Sequence, residues 1–155
     1  MESLVKNQKT LIISSLNKNK LPESSYAPFV MVENDIYVYL SKAANHYYNL
    51  SENKDCSVMI IEDEKDAKTI FARERVTFEG EAFKLENVEE NIFDKFNEVH
   101  DPSMISVLRT MDFDMFKIVP KKGRYVKGFG QAFDVRLENG KYELLHVSDV
   151  GHKSK

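Results

Sequence analysis

Hydrophobic and polar positions alternate along the chain with two different periodicities. Over residues 3–17 the apolar side chains recur at helical spacing with Lys and Gln opposite them, which predicts an N-terminal helix within residues 1–20. Most later apolar runs are short, rich in β-branched and aromatic residues, and bounded by turn-forming residues. Such runs are typical of strands, and the candidates lie at residues 25–31, 36–40, 56–61, 69–72, 76–85, 113–119, 125–127, 131–135 and 142–147.

Turn and helix signals arrange these strands. Residues 33–35 (Glu-Asn-Asp) predict a tight hairpin, and Asn139-Gly140 predicts another. Gly80 interrupts an alternating run, which predicts a bulge or a close backbone approach. Short helices are expected at residues 43–51, 88–99 and 101–109. Because the strands come in blocks, the order favours an α+β, mainly β, antiparallel barrel over a doubly wound sheet.

Length and composition limit the class of protein. The 155 residues, 42% hydrophobic and 30% charged, are typical of a single soluble globular domain, here a barrel over residues 21–147 with a polar tail at 148–155. A net charge of −3 argues against a nucleic-acid partner. No apolar run is long enough to span a membrane, so a cytoplasmic location is expected. The single cysteine, Cys56, lies in an apolar run and is predicted to be a buried thiol.

Four segments carry a resemblance to a known family. They are residues 24–29 (SSYAPF), 40–50 (LSKAANHYYNL), 72–80 (ARERVTFEG) and 112–132. In this order and spacing they resemble the pyridoxamine 5'-phosphate oxidase-like, FMN-binding split barrels and, within them, the HugZ-type haem oxygenases. Residues 146–153 look like the C-terminal haem-ligand loop of that branch.

The resemblance implies a six-stranded antiparallel Greek-key split barrel with short flanking helices. It also implies a homodimer with ligand sites between the protomers. FMN occupies that groove in flavin-using relatives, whereas the HugZ-type branch binds haem and cleaves it oxidatively with electrons from a donor. In that branch a histidine of the terminal loop binds the iron and an arginine stands on the opposite side. Those roles fall on His152 and Arg73.

Two histidines are candidates for the iron ligand. Neutral imidazole is a common axial ligand of haem, and His152 is the fourth residue from the end of the sequence, in a tail able to close over a flat macrocycle. His146, near the end of the last predicted strand, is the second choice. The alternative for His152 is a solvated tail residue without a ligand.

Arg73 and Arg75 lie on one face if residues 69–78 are extended. Guanidinium groups match the carboxylates of haem propionates, and an arginine beside the iron stabilises negative charge on bound oxygen. Arg73 is therefore both the catalytic and a ligand-binding candidate. The alternative is a pair of surface arginines that neutralise neighbouring carboxylates, with Asp66, Glu74 and Glu79 as the partners.

Two further groups complete the predicted site. Ser41, Lys42 and His46 lie where split barrels hold a phosphate or a ligand edge, although Ser41 also suits a helix cap and His46 a structural role. The segment Gly128-Phe129-Gly130 permits either the close approach of a flat ligand or a sharp strand bend. The favoured function is a cytoplasmic haem-degrading enzyme that releases iron. An FMN-dependent oxidoreductase and a non-catalytic haem-binding module are the alternatives.

Overall fold

Alternation with a period of two places nearly half of the described residues in strands. The structure is a computed structural model and describes residues 1–147. The described residues form four α-helices and eight β-strands, in the order α1 (Glu2–Asn7), β1 (Thr10–Leu16), β2 (Pro22–Val32), β3 (Asp35–Ser41), α2 (Asn45–Glu52), β4 (Asp55–Ile61), β5 (Arg75–Lys84), α3 (Glu90–Val99), α4 (Pro102–Leu108), β6 (Phe113–Gly128), β7 (Gln131–Glu138) and β8 (Lys141–His146).

The strands form one antiparallel sheet that closes on itself. Its order is β3-β2-β1-β4-β5-β6-β7-β8, and an additional pairing of β3 with β6 closes the first six strands into a barrel. The spatial order β4-β1-β2-β3 is a Greek key, because β4 returns past two hairpins to lie beside β1. The predicted six-stranded split barrel is therefore confirmed, and β7 and β8 extend the sheet beyond it.

Strand β6 is the longest element of the barrel. The sequence predicts two strands here because Pro120 and Gly123 interrupt the run, but the structure contains one strand of 16 residues. Its first part pairs with β3 and its last part with β7, on the same edge. Pro120 is tolerated because it lies opposite Gly80, where the register between β5 and β6 shifts. The bulge expected at Gly80 is confirmed.

The N-terminal helix predicted for residues 3–17 is wrong beyond Asn7. Residues Thr10–Leu16 form β1, which lies between β2 and β4 in the wall of the barrel. Leu11 and Ile13 are 2% and 0% exposed and point into the core two residues apart, which is strand spacing. The same apolar residues fit a helical stripe, and the free backbone edges of the two neighbouring strands decide in favour of the sheet.

The barrel interior and one outer face hold the hydrophobic core. Inward-facing side chains of the six barrel strands form the main cluster, with Leu4 of α1 at one end. A second cluster covers the outside of β2, β3 and β6. It consists of Val30, Ile92, Phe93, Phe96, Ile105 and Met115, so α3 and α4 close this face. Helix α4 begins as predicted, where the Asp101 carboxylate accepts a hydrogen bond from the backbone N–H of Ser103 at 2.9 Å.

Gly123 is required because β5 and β6 approach each other closely at this position. A Cβ atom at this position would lie 2.6 Å from the carbonyl oxygen of Thr77 and 2.7 Å from the ring of Phe78. We expect Gly123→Ala to lower the free energy of unfolding by about 1–3 kcal/mol, because neither the strand backbone nor a buried ring moves freely. Denaturant unfolding measures the change.

Gly128→Ala is the matched control for this prediction. A Cβ atom added at Gly128 would lie 3.7 Å from the side-chain oxygen of Gln131, which is an ordinary van der Waals contact. We expect almost no change for Gly128→Ala. Equal losses for the two variants would contradict the explanation by close strand approach.

Candidate functional site

Arg73 lies between the loop that follows β4 and the start of β5. Its Nε donates to the carbonyl oxygen of Glu62 at 3.1 Å, and its Nη2 donates to the same oxygen. Its Nη1 donates to the Glu64 carboxylate at 3.1 Å. The alternative interpretation expected an ion pair with Asp66, Glu74 or Glu79. The structure shows an ion pair with Glu64 instead, and the guanidinium also ties the loop between β4 and β5 to Glu62.

Arg75 begins β5 and lies in the same corner. The extended segment predicted for residues 69–78 is wrong, because Ile70–Ala72 form a 3-10 turn and the strand begins only at Arg75. The two arginines are nevertheless neighbours, since Nη1 of Arg75 donates to the carbonyl oxygen of Arg73 at 3.0 Å. In register, Arg75 pairs with Val126 near the end of β6.

The glycine segment forms the turn between β6 and β7, close to Arg75. Gly128 pairs with Gln131, Gly130 has a φ of 65°, and the ring of Phe129 is 61% exposed. The bend is therefore real, and it also presents an aromatic ring to solvent. We call the end of the sheet that holds Arg73, Arg75 and this turn the arginine end.

The last described residues also lie at the arginine end. His146 ends β8, is exposed, and meets the ring of Phe133 edge-on at 5.2 Å. The N–H of Val147 donates to the carbonyl oxygen of Ala132 at 2.9 Å, one residue from the end of the glycine turn at Gln131. His152 lies outside the described residues. It follows Val147 by five residues, a length that spans at most about 17 Å.

Ser41, Lys42 and His46 lie together at the start of α2. The Ser41 hydroxyl accepts from the N–H of Ala43 at 3.1 Å, so it stabilises the turn after β3 and does not cap α2, whose N-cap is Ala44. Lys42 places its Nζ 3.8 Å from the Asp114 carboxylate. His46 is half-buried, and this burial lowers its pKa, against an opposing effect of Glu23. The neutral imidazole is favoured there.

Asp114 and Tyr47 are site residues that sequence reasoning missed. The Tyr47 hydroxyl donates a hydrogen bond to the Asp114 carboxylate, which raises the pKa of Tyr47 to about 12. The Tyr47 ring is buried against Phe116, with ring centroids 5.4 Å apart. A signal was present, because Asp112 and Asp114 flank Phe113 at the start of a strand. We call the end with Ser41, Lys42 and Asp114 the α2 end.

The arginine end and the α2 end are opposite ends of one barrel. Ser41 pairs with Phe113 and Arg75 pairs with Val126, thirteen residues further along β6. At about 3.3 Å per strand residue, the path along β6 between these two points is about 40 Å. The structure thus brings Arg73, Arg75 and the glycine turn together, and Ser41, Lys42 and His46 together, but one copy of the chain does not join the two groups.

Two cavities lie apart from these residues. One of about 540 Å³ is lined by the C-terminal part of α2 and by Lys54, Phe83 and Lys84. The other, of about 210 Å³, lies between β2, α3 and α4 and is lined by Tyr39, Phe96 and Met104 among others. Neither is lined by Arg73, Arg75 or the glycine turn.

Other chemistries find little support within residues 1–147. Cys56 is partly buried beside Gly80, and burial raises the pKa of its thiol to about 12, so the reactive thiolate is scarce at neutral pH. The described residues contain no group of three or more His, Cys, Asp or Glu side chains that would hold a metal ion. Among these residues, no helix has the length and apolar character needed to cross a bilayer.

The chain matches known proteins over most of its length. Residues 1–127 match the family model described as pyridoxamine 5'-phosphate oxidase. The haem oxygenase HutZ of Vibrio cholerae is 35% identical over 153 residues, which cover 94% of this chain and 84% of HutZ. The chain belongs to the HugZ-type branch of the pyridoxamine 5'-phosphate oxidase family.

Solved structures of this branch share the fold. The crystal structure of Campylobacter jejuni ChuZ matches with a TM-score of 0.86 and 31% identity, covering 99% of this chain and 63% of ChuZ. This HugZ-type chain therefore spans less than two thirds of ChuZ. The crystal structure of Vibrio cholerae HutZ, described as a haem storage protein, matches with a TM-score of 0.76 and 31% identity, covering 82% of this chain and 92% of HutZ.

Proposed function

We propose that this protein binds haem between two copies of the chain and degrades it with oxygen and electrons from an external donor, releasing iron. The observation that carries the proposal is the 35% identity to a haem oxygenase along 94% of the chain. The matched length includes the segments that form both the arginine end and the α2 end.

The arginine end suits an amphipathic ligand with an anionic edge. Haem combines a flat apolar ring with two carboxylates, and the guanidinium groups of Arg73 and Arg75 match carboxylates in charge and geometry. The exposed ring of Phe129 lies at the same end and offers an apolar surface. Because the segment after Val147 starts there, His152 is within reach of the same region, where we propose that its imidazole binds the iron.

A second copy of the chain supplies what one copy lacks in this proposal. The outer face of β2, β1 and β4 carries a row of side chains paired in register, Tyr26, Ile12 and Met59. Tyr26 is 69% exposed, and α3 and α4 cover the other outer face instead. A sheet face with an exposed apolar row of this kind favours a symmetric dimer.

Dimerisation would also explain the separation of the two residue groups. If two barrels pack antiparallel across this face, the arginine end of one copy meets the α2 end of its partner. Ser41, Lys42 and His46 of one copy would then hold the edge of a ligand whose carboxylates contact Arg73 and Arg75 of the other. The complete site thus needs two chains.

The proposed mechanism assigns limited roles to the protein. In this proposal His152 would hold the iron, and Arg73 would present a charged hydrogen-bond donor to the bound ligand. The chemistry that bound haem supplies is oxygen activation at its iron and oxidation of a meso carbon of its own ring. We place the protein in the cytoplasm, where electron donors are available.

Two alternatives each have one observation in their favour. The family model that covers residues 1–127 is described as pyridoxamine 5'-phosphate oxidase, which favours an FMN-dependent oxidoreductase. The description of the HutZ crystal structure as a haem storage protein favours a module that binds haem without cleaving it.

A hemin titration of the purified chain separates these possibilities. We expect a Soret band that saturates with added hemin, followed by its loss and a bile-pigment product when ascorbate is added in air. A yellow protein that has a flavin spectrum and does not bind hemin would favour the FMN enzyme and overturn the proposal. A Soret band that persists under ascorbate and air would favour the storage module.

A further inference from the structure

We propose that Glu64 is a positioning residue that occupies the ligand-facing edge of Arg73 in the free protein and is displaced by a carboxylate of the bound ligand. The inference rests on the proposed function and deepens it, because it names a side chain that competes with haem for Arg73 and so lowers the affinity for haem. It makes Glu64 a competitor for the guanidinium and not a partner in the chemistry.

Only one edge of the Arg73 guanidinium is available to a ligand. Its Nε and Nη2 both donate to the carbonyl oxygen of Glu62, which leaves the Nη1 side as the free edge of the fork. Glu62 is a rigid anchor, because its own N–H donates to the carbonyl oxygen of Glu74 at 2.9 Å and continues the ladder between β4 and β5. The direction in which Arg73 presents Nη1 is therefore set by the sheet.

Glu64 occupies that edge and is free to leave it. Its carboxylate accepts from Nη1 at 3.1 Å, while its side chain is 73% exposed and that of Arg73 only 20%. An ion pair with one solvated partner contributes little, about 0–1 kcal/mol. A ligand carboxylate brought to the same edge replaces the same interaction, so Glu64 returns to water at small cost.

The carboxylates of Glu62 and Glu74, which also lie near Arg73, accept hydrogen bonds from other groups. Glu62 accepts from the N–H of Glu74 at 2.6 Å, and the Glu74 carboxylate accepts from the Tyr125 hydroxyl. Asp66 lies on the same 3-10 turn as Glu64. Among the hydrogen bonds and ion pairs of the described residues, Arg73 contacts the Glu64 carboxylate and not that of Asp66. Asp66 is thus a matched control for a general effect of negative charge.

The test is hemin binding to Glu64→Gln and to Asp66→Asn, each in the full chain. Glutamine keeps the size of the side chain and removes the competing charge, so we expect the hemin dissociation constant to fall roughly two- to fivefold, the range of an exposed ion pair. Asp66→Asn is expected to bind hemin as the wild type does. Glu64→Asp, which keeps the charge, is expected to restore affinity close to that of the wild type.

A ligand without carboxylates provides a readout that a structural role would not move. With the dimethyl ester of iron protoporphyrin the affinity difference between Glu64→Gln and the wild type is expected to vanish, since no carboxylate competes for Arg73. In an Arg73→Gln background, Glu64→Gln is expected to have no effect on hemin affinity.

The outcomes separate this inference from the proposed function. A wild-type chain that does not bind hemin overturns both. Hemin binding by the wild type with an unchanged constant in Glu64→Gln overturns only the competition. A gain in affinity that is equal in Asp66→Asn, or that persists with the dimethyl ester, also overturns it, because the effect would then come from general electrostatics.

Discussion

Replacing His152 with alanine is expected to weaken hemin binding on the order of a hundredfold and to shift the Soret band. Loss of a residue that only orients a metal ligand typically costs ten- to a hundredfold in affinity, and loss of the ligand itself belongs at the upper end of that range or beyond. Absorption spectra of hemin-loaded protein measure both effects. The fold should not change, because His152 follows the last strand by several residues.

His146→Ala is the matched control for the iron ligand. His146 is exposed on β8 with its ring against Phe133, so its removal should leave the hemin spectrum and affinity close to those of the wild type. If His152→Ala keeps the wild-type spectrum and His146→Ala changes it, ligation belongs to His146. If neither variant changes the spectrum, His46 is the next candidate.

Phe116→Ala is expected to lower the free energy of unfolding by about 3–5 kcal/mol. The ring is 0% exposed, lies inside the barrel, and packs edge-on against the Tyr47 ring at 5.4 Å. Alanine leaves a cavity at the point where β6 meets both β3 and β5, and rigid strands on either side cannot collapse to fill it. Denaturant unfolding monitored by circular dichroism provides the measurement.

Phe129→Ala tests the same chemical change without burial. Because the Phe129 ring is 61% exposed, we expect the free energy of unfolding to change by no more than about 0.5 kcal/mol. A comparable loss in the two variants would contradict the assignment of Phe116 to the core. The Phe116→Ala variant also loosens the packing around Tyr47, so its hemin affinity reports on the α2 end.

Local signals predicted most of the elements that do not depend on their neighbours. The hairpin at residues 33–35 is confirmed, with Glu33 at a φ of 56°, and so is the turn at Asn139-Gly140, with φ values of 51° and 74°. Helix α3 follows from its amphipathic spacing, and its buried residues are Ile92, Phe93 and Phe96. Each of these features is determined by backbone preference or periodicity within a few residues.

The errors concern segments whose neighbours decide their conformation. Residues 10–16 suit a helical stripe equally well, and they form a strand because β2 and β4 offer hydrogen-bonding edges on both sides. Residues 70–72 carry strand-forming side chains, yet they form a turn because the Arg73 guanidinium ties the loop to Glu62. The contact of Tyr47 with Asp114 joins residues 67 positions apart, and no local pattern encodes it.

The sequence by itself determined the family, the antiparallel barrel and the residue types available for a site. Those properties follow from motif order, turn chemistry and alternation, which are local along the chain. Only the tertiary structure decided that Arg73 is held by Glu62 and Glu64, and that Ser41 and Arg75 lie beside opposite ends of β6. The physical reason is that strand register and barrel closure, which are non-local, set where each side chain lies.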